Sequence, residues 1–584
     1  MNVPPKYKQY FNLLNLSPIA LNILEKRYLL RDAEGKIQET PEEMFYRVAK
    51  NIAIADKNFG DDFELTEETF FKALIAQEII PASPILMSAG GRLQFLFSDH
   101  ALDVSDSLDS IFDTLKVAAS IQQHGGGIGF NFSKIRPKFD DVSGLKNVAF
   151  GPLSVMKIFD TSFSAILQGG RRPGANMAIL SVNHPDIEQF IDAKKDGNQL
   201  NNFNLSIAVT DDFIEAVLND TDFNLINPRN NKIMKTIKAT ELFEKIAQSA
   251  WETGDPGMVF IDEMNRTYPF ETRKVLCTGS CGQYELESYE GVPYTHINLT
   301  KILIERNGKK ELDLEKLKDL VHIVVHFLDN CIDMHRFSNG QIEHQSKSVR
   351  KIGLGILGFA DLLFSLGISY GSDESLEVIK EIMKVIKKES RKASKNLAFR
   401  RGTFPIYGQS SLDDPSRNAT ITSISPTGST SMIAGVSQSI EPVYALSYTS
   451  KLSNGEEITI LNSEFKKAID ASNLTNNEKV QLQFMDSLAN IVWIDLKIKN
   501  IFKTSHDVIP EEHLKVMATF QRYIDNSISK TINLPNSANV DEIKDIFLKA
   551  YKLKCKGVTI YRDGCREDQV FLNKHQTKLY AFEN

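Results

Sequence analysis

The sequence predicts a mixed α/β fold, and three observations point to it. Residues 1–80 carry helical patterns, as in "EEMFYRVAKNIAIADKNF" and "ETFFKALIAQEII". From about 85 to 300, short apolar runs alternate with glycine-rich turns in "HGGGIGFNFSKIRP", "QGGRRPGANMAIL" and "NFNLSIAVTDDF", a pattern of strands joined by loops and helices. Helical stretches return at 310–400 and 463–530, with strand and loop between them in "RNATITSISPTGSTSMIAGVSQSIEPVYAL" and a late strand and turn in "CKGVTIYRDGCRE". No internal repeat, low-complexity tract or linker breaks this order. One large domain with a helical N-terminal portion is the simplest reading.

Composition narrows the function classes. The 584 residues are 42% hydrophobic and 24% charged, as in an ordinary globular protein. A net charge of -7 argues against broad nucleic-acid binding, which leans on basic surface. The start "MNVPPKYKQYFNLLNLSPIA" lacks the pattern of a secretory signal. No run of about 18 apolar residues suggests a membrane span. Five cysteines in this length make no disulfide framework. A cytoplasmic protein without membrane or nucleic-acid partners is the expectation.

Several short stretches carry possible chemistry. "SPTGSTS" (425–431) offers hydroxyls and a pliable backbone ahead of an apolar stretch. It reads either as a phosphate-holding loop at a helix start or as a capped turn. "QHGGGIGF" (123–130) is a degenerate dinucleotide pattern and reads locally as a close-packed turn. "QGGRRPGANM" (168–177) sets Arg171 and Arg172 among glycines, either to clamp an anion or as a solvated basic turn. Cys277 and Cys281 stand as C-x3-C, but "CIDMH" (331–335) is the only further metal-ligand candidate and Cys331 reads as core. No zinc or other metal site is expected.

Together these pieces resemble the large catalytic subunit of ribonucleotide reductases. The likeness runs from about residue 40 to 566. Its blocks, in order, include "PASPILMSAGG", "DSLDSIF", "HGGGIGFNFSKIRP", "GPLSVMKIFD", "QGGRRPGANMAIL", "AWETGDPGMVFID", "PTGSTSMIAGVSQSIEP" and "KGVTIYRDG". The wording of "HGGGIGFNFSKIRP" and "KGVTIYRDGCRE" is most similar to the adenosylcobalamin-dependent (class II) branch. The long tail of the radical-subunit-dependent branch and an N-terminal ATP-cone are not expected. The resemblance implies a ten-stranded α/β barrel of two five-stranded halves around a central finger loop. The divisions are then a helical region at 1–85, the barrel at 86–566 and a tail at 567–584.

The same resemblance implies site residues. Cys281 matches the fingertip cysteine that becomes a thiyl radical and removes the 3'-hydrogen of the ribose. Ser83, Ser98, Gly127 and Gly279 match substrate contacts. Pro426, Thr427, Gly428, Ser429, Thr430 and Ser431 match the loop that holds the substrate phosphates. Asp106, Arg136 and Arg172 match positions around a deoxynucleotide effector, at a dimer face in most members, so a homodimer is expected. Adenosylcobalamin is the implied cofactor.

Departures from the family are concentrated at the fingertip. The family reads "NPCGE" where this chain reads "GSCGQ". Gln283 thus replaces a glutamate that acts as a base, and an amide cannot accept that proton. The reducing cysteine pair falls at Asp99 and Val292, and Cys555 and Cys565 stand too far apart and too early for the family's terminal reducing pair, which is not expected here. Three readings follow: reduction with an outside reductant, as in anaerobic (class III) members that use formate; thiyl chemistry on a nucleotide sugar without net reduction; or a non-catalytic nucleotide-binding paralogue. In the first, Asp99 is the candidate to protonate the departing 2'-hydroxyl, with His296 as a second candidate acid.

Overall fold

The computed structural model describes residues 3–168, 172–197, 199–451 and 457–566. Its first part is helical. Helix Pro41–Ala53 starts at a capping box, with Thr40 and Glu43 each satisfying the other's backbone N–H. Its apolar positions Met44, Phe45, Val48 and Ile52 are fully buried at the spacing of one helix face. They meet helix Phe63–Ile75, where Phe71 packs edge-on against Tyr46 and Tyr7.

The barrel follows. Strands β1 (Asp99–Asp103), β2 (Gly127–Asn131), β3 (Asn176–Ser181), β4 (Asn204–Val209) and β5 (Gly257–Phe260) pair in parallel, each with the next. Strands β6 (Tyr294–Asn298) and β7 (Gly353–Leu357) pair in parallel. Parallel bridges join Leu354 to Thr422 and Ile424 to Ile528. They lead through segment 420–424 to β8 (Thr531–Leu534), which is parallel to β9 (Gly557–Arg562). That makes a second half of five staves. The halves meet antiparallel, β5 against β9. On the other side residues 291–292, just before β6, run antiparallel to β1. The ten-stranded barrel of two five-stranded halves is therefore observed.

Strands β2 and β7 are buried along their whole length, as expected of parallel strands covered on both faces. Outside, helices Leu314–Met334 and Asp373–Arg401 pack together. Among the described residues no helix is long and apolar enough to cross a membrane.

A hairpin threads the barrel. Cys277–Thr278 pairs antiparallel with Glu285–Leu286, and the tip is closed by Gly279 N–H to Tyr284 carbonyl and Gly282 N–H to Gly279 carbonyl, both 3.1 Å. Strands of both halves hold it. Asn131 of β2 donates to the Leu276 carbonyl at 2.6 Å, and Ser423 of the second half donates to the Gln283 carbonyl at 2.8 Å. The barrel makes room with glycine. A Cβ on Gly129 would lie 1.8 Å from the Thr278 carbonyl oxygen, and one on Gly127 2.6 Å from Ser280 Oγ. The glycines of "HGGGIGF" thus serve a close approach between backbones.

Candidate active site

At the hairpin tip Cys281 is half-buried, whereas Gly279, Ser280 and Gln283 are buried. Beneath them lies Asp99, 1% exposed. Its Oδ1 accepts from the Ser280 backbone N–H and from Ser280 Oγ, each at 2.7 Å. Its Oδ2 accepts from Gln283 Nε2 at 2.6 Å. Ser280 Oγ also lies 3.8 Å from Cys281 Sγ, so one hydroxyl touches both thiol and carboxylate. The structure therefore brings Cys281, Gln283 and Asp99 together.

Asp99 and Val292 are direct cross-strand partners. These two positions, assigned by resemblance to a cysteine pair, are close enough for a disulfide if both were cysteine. Cys277 is not a substitute for either. It is buried at the base of the hairpin, where Sγ donates to the Thr278 carbonyl and burial pushes its pKa far above the ordinary thiol value. Cys331 is buried in helix Leu314–Met334.

Among the described residues, the buried atoms Ser98 Oγ and Gln283 Oε1 near the tip have no hydrogen-bond partner. Such atoms are costly unless a ligand or water serves them. Ser83 opens helix Ser83–Ser88, and its hydroxyl is 2.8 Å from Tyr28 Oη. His296 is a satisfied histidine: Nδ1 lies 3.1 Å from the Ile80 carbonyl and Nε2 2.6 Å from Ser425 Oγ. Burial pulls its pKa down to about 4, only partly offset by the Ile80 bond, so it is neutral and a poor acid near pH 7.

The stretch Pro426–Ser431 forms a turn into helix Gly428–Ala434. Thr427 takes a left-handed conformation (φ 58°), which is unusual for a β-branched residue. Its hydroxyl accepts from the Ser439 N–H and meets Ser431 Oγ at 2.7 Å, while Thr430 Oγ1 donates to the Thr427 carbonyl. These hydroxyls fix the loop's shape. Ser429 is different: Arg27 Nη1 reaches its Oγ at 3.4 Å from the end of helix Pro18–Arg27. Sequence reasoning missed Arg27, because only the packing of that helix on the loop places it there.

At the effector positions, Arg136 Nε donates to Asp106 Oδ2 at 2.8 Å and Nη1 donates to the Asp141 carbonyl. Arg172 pairs through its backbone with Gln168; its side chain, like Arg171 and the tail from 567, lies outside the described residues. Among the described residues one carboxylate–imidazole group has metal-like spacing, Asp56, Asp61 and His326. A cation already fills it: Arg401 Nη2 is 2.6 Å from Asp56 Oδ1, 2.6 Å from Asp61 Oδ2 and 2.8 Å from His326 Nε2.

Comparisons with known proteins agree with this architecture. Residues 98–415 and 412–561 match the family described as "Ribonucleotide reductase, barrel domain", and residues 14–94 match "Ribonucleotide reductase, all-alpha domain". The chain is 40% identical to a vitamin B12-dependent ribonucleoside-diphosphate reductase of Thermoplasma acidophilum, across 95% of this chain and 80% of that protein. It is 37% identical to the protein of the same name from Mycobacterium tuberculosis strain H37Rv, across 95% and 79%. A solved alpha subunit of a class Id ribonucleotide reductase from Actinobacillus ureae superposes with a TM-score of 0.78 at 22% identity, covering 94% of this chain and 97% of the other.

Proposed function

Because the chain belongs to the ribonucleotide reductase large-subunit family, we propose that it converts ribonucleoside di- or triphosphates to deoxyribonucleotides through a thiyl radical on Cys281. The observation that carries this is the half-exposed Cys281 at the tip of a hairpin held inside the barrel. A thiyl needs no base to form a thiolate, so the uncharged neighbours of the sulfur are tolerable. It does need a fixed position, and backbone bonds at both ends of the tip supply that.

The two buried atoms without a partner among the described residues, Ser98 Oγ and Gln283 Oε1, suit ribose hydroxyls. The Pro426–Ser431 loop holds the phosphates, and Asp106, Arg136 and Arg172 surround a deoxynucleotide effector at a homodimer face. With Asp99 and Val292 at the dithiol positions, the two electrons come from outside. With formate, ribonucleotide plus formic acid gives deoxyribonucleotide, carbon dioxide and water. With a dithiol, it gives deoxyribonucleotide, disulfide and water. Asp99 is the carboxylate at the tip, and proton transfer to the departing 2'-hydroxyl is assigned to it.

Adenosylcobalamin fits the exposure pattern: Cys281 and Gly282 are the half-buried residues of the tip, open to a group outside, while Gly279, Ser280 and Gln283 are buried. When bound, it supplies the one-electron oxidation that turns a thiol into a thiyl. The names of the relatives support the same cofactor.

The test is anaerobic incubation of the purified protein with adenosylcobalamin and each ribonucleotide, with formate or a dithiol, and product analysis by mass spectrometry. A deoxynucleotide that disappears in Cys281→Ala is the expected result, and the reductant it depends on identifies the electron source. An isomer of unchanged mass would replace reduction with sugar rearrangement. Bound nucleotide without any product would make the chain a regulatory paralogue.

A further inference from the structure

We propose that Ser280 and Gln283 are positioning residues for Asp99, and that the departures at 279, 280 and 283 form one coupled set built around that carboxylate. The inference rests on the reading of Cys281 and Asp99 given above and deepens it.

Each altered letter of the tip is explained by Asp99. At position 279 a Cβ would lie 2.9 Å from Asp99 Oδ1, 3.0 Å from its Cγ and 3.1 Å from its Cβ. The family's asparagine would crowd the Asp99 carboxylate out of its place, and glycine vacates that space. At position 280 a proline has neither N–H nor hydroxyl, yet both groups of Ser280 donate to Oδ1. At position 283 a glutamate would set a second carboxylate against Oδ2, whereas the Gln283 amide donates to it at 2.6 Å. Cys281 and Gly282 keep the family letters. The site's carboxylate has thus moved from the hairpin to strand β1.

The barrel accommodates the same change. Gly127 leaves room for Ser280, since a Cβ there would sit 2.6 Å from Ser280 Oγ and 2.9 Å from its Cβ. Gln283, with Nε2 committed to Asp99, keeps Oε1 buried and without a partner among the described residues, an acceptor for a ribose hydroxyl. In chemical terms, Asp99 carries one proton from the 3'-hydroxyl to the departing 2'-hydroxyl. The O3'–H bond breaks, the C2'–O2' bond breaks, water leaves, and the carboxylate is restored. The unpaired electron stays on the sugar throughout, so this step needs no reductant.

The test is a reversal of polarity across the Asp99–Gln283 pair. In Gln283→Glu two carboxylates face each other. In Asp99→Asn with Gln283→Glu, an amide again meets a carboxylate. The single variant is expected to lose roughly 3 °C or more in melting temperature at pH 8 and to recover on lowering the pH to 5, where one carboxylate takes a proton. The double variant is expected to regain the wild-type melting temperature at pH 8. Additive losses in the double variant would overturn the proposal, as would a single variant as stable as wild type. Should Gln283→Glu fail to fold, rescue by Asp99→Asn becomes the readout, and a double variant equally unfolded would refute the coupling. These melts need no turnover, so they separate this proposal from the assignment of reductase activity. Where wild type turns over, the acid limb of the rate profile should move up by about one pH unit in Gln283→Glu; an unmoved limb would reduce Asp99 to a purely structural anchor.

Discussion

Gly129→Ala probes how the barrel holds the hairpin. Its Cβ would lie 1.8 Å from the Thr278 carbonyl oxygen and 2.9 Å from Cys277 Sγ. Carbon and oxygen settle at about 3.3 Å or beyond, so the hairpin must retreat by roughly 1.5 Å at Thr278. The obstructing atom is backbone and cannot rotate away. Cys281 is three residues further on and shares the displacement. Overpacking of this kind costs about 1–3 kcal/mol, and an error of about 1 Å at a reacting group costs on the order of 100-fold in rate. Deoxynucleotide formation should therefore fall about 100-fold while the melting temperature drops by only a few degrees. Gly340→Ala is the control, because a Cβ at Gly340 meets nothing within 4 Å. Full turnover and an unchanged melt in Gly129→Ala would refute the account of a hairpin packed backbone-to-backbone.

Other outcomes follow from the same structure. Arg27→Gln removes the guanidinium that reaches Ser429 and should raise KM for nucleotide about 10-fold or more, with a smaller change in kcat, in steady-state assays. His296 has its folded pKa lowered to about 4 from an ordinary value of about 6.5. The unfolded chain therefore takes up that proton first as pH falls. Its contribution is whole above pH 6.5 and is lost between about 6.5 and 4, at about 1.4 kcal/mol per pH unit; denaturant melts of His296→Gln should show a shallower loss from pH 7 to 5 than wild type. Arg401→Met takes the guanidinium from buried Asp56, leaving it His326 and Asn330, while Asp61 keeps Arg400; the loss should cost about 3–5 kcal/mol, read as a lower denaturation midpoint.

What the sequence disclosed depended on whether the determining contacts were local. The capped helix Pro41–Ala53 could be read directly, since Thr40, Glu43 and the apolar face lie within one stretch. The glycines at 125–129 looked locally like a turn. Gly127 and Gly129 are strand residues whose role is set by Ser280 and Thr278, about 150 residues away. Asp99 and Gln283 were singled out by their place in the family blocks, but nothing in either neighbourhood announces that one donates to the other. The hydroxyls of 427–431 suggest ligand contacts from composition, yet Thr427 and Ser431 bond each other and Thr430 bonds the Thr427 carbonyl. Arg27 had no signal beyond a basic helix end, because tertiary packing alone brings it to the loop.

The antiparallel seam has a consequence for synthesis of the chain. Strand β5 finds its outer neighbour only in β9, where Met258 faces Val558, 300 residues later. At about 5–20 residues per second, the ribosome needs roughly 15–60 s to deliver that partner. For that interval the nascent first half-barrel carries an open parallel edge, which is a template for pairing with other chains. Yield in cells should therefore depend on chaperone supply and translation speed, and slowing elongation between residues 260 and 557 should send more of the product into aggregates.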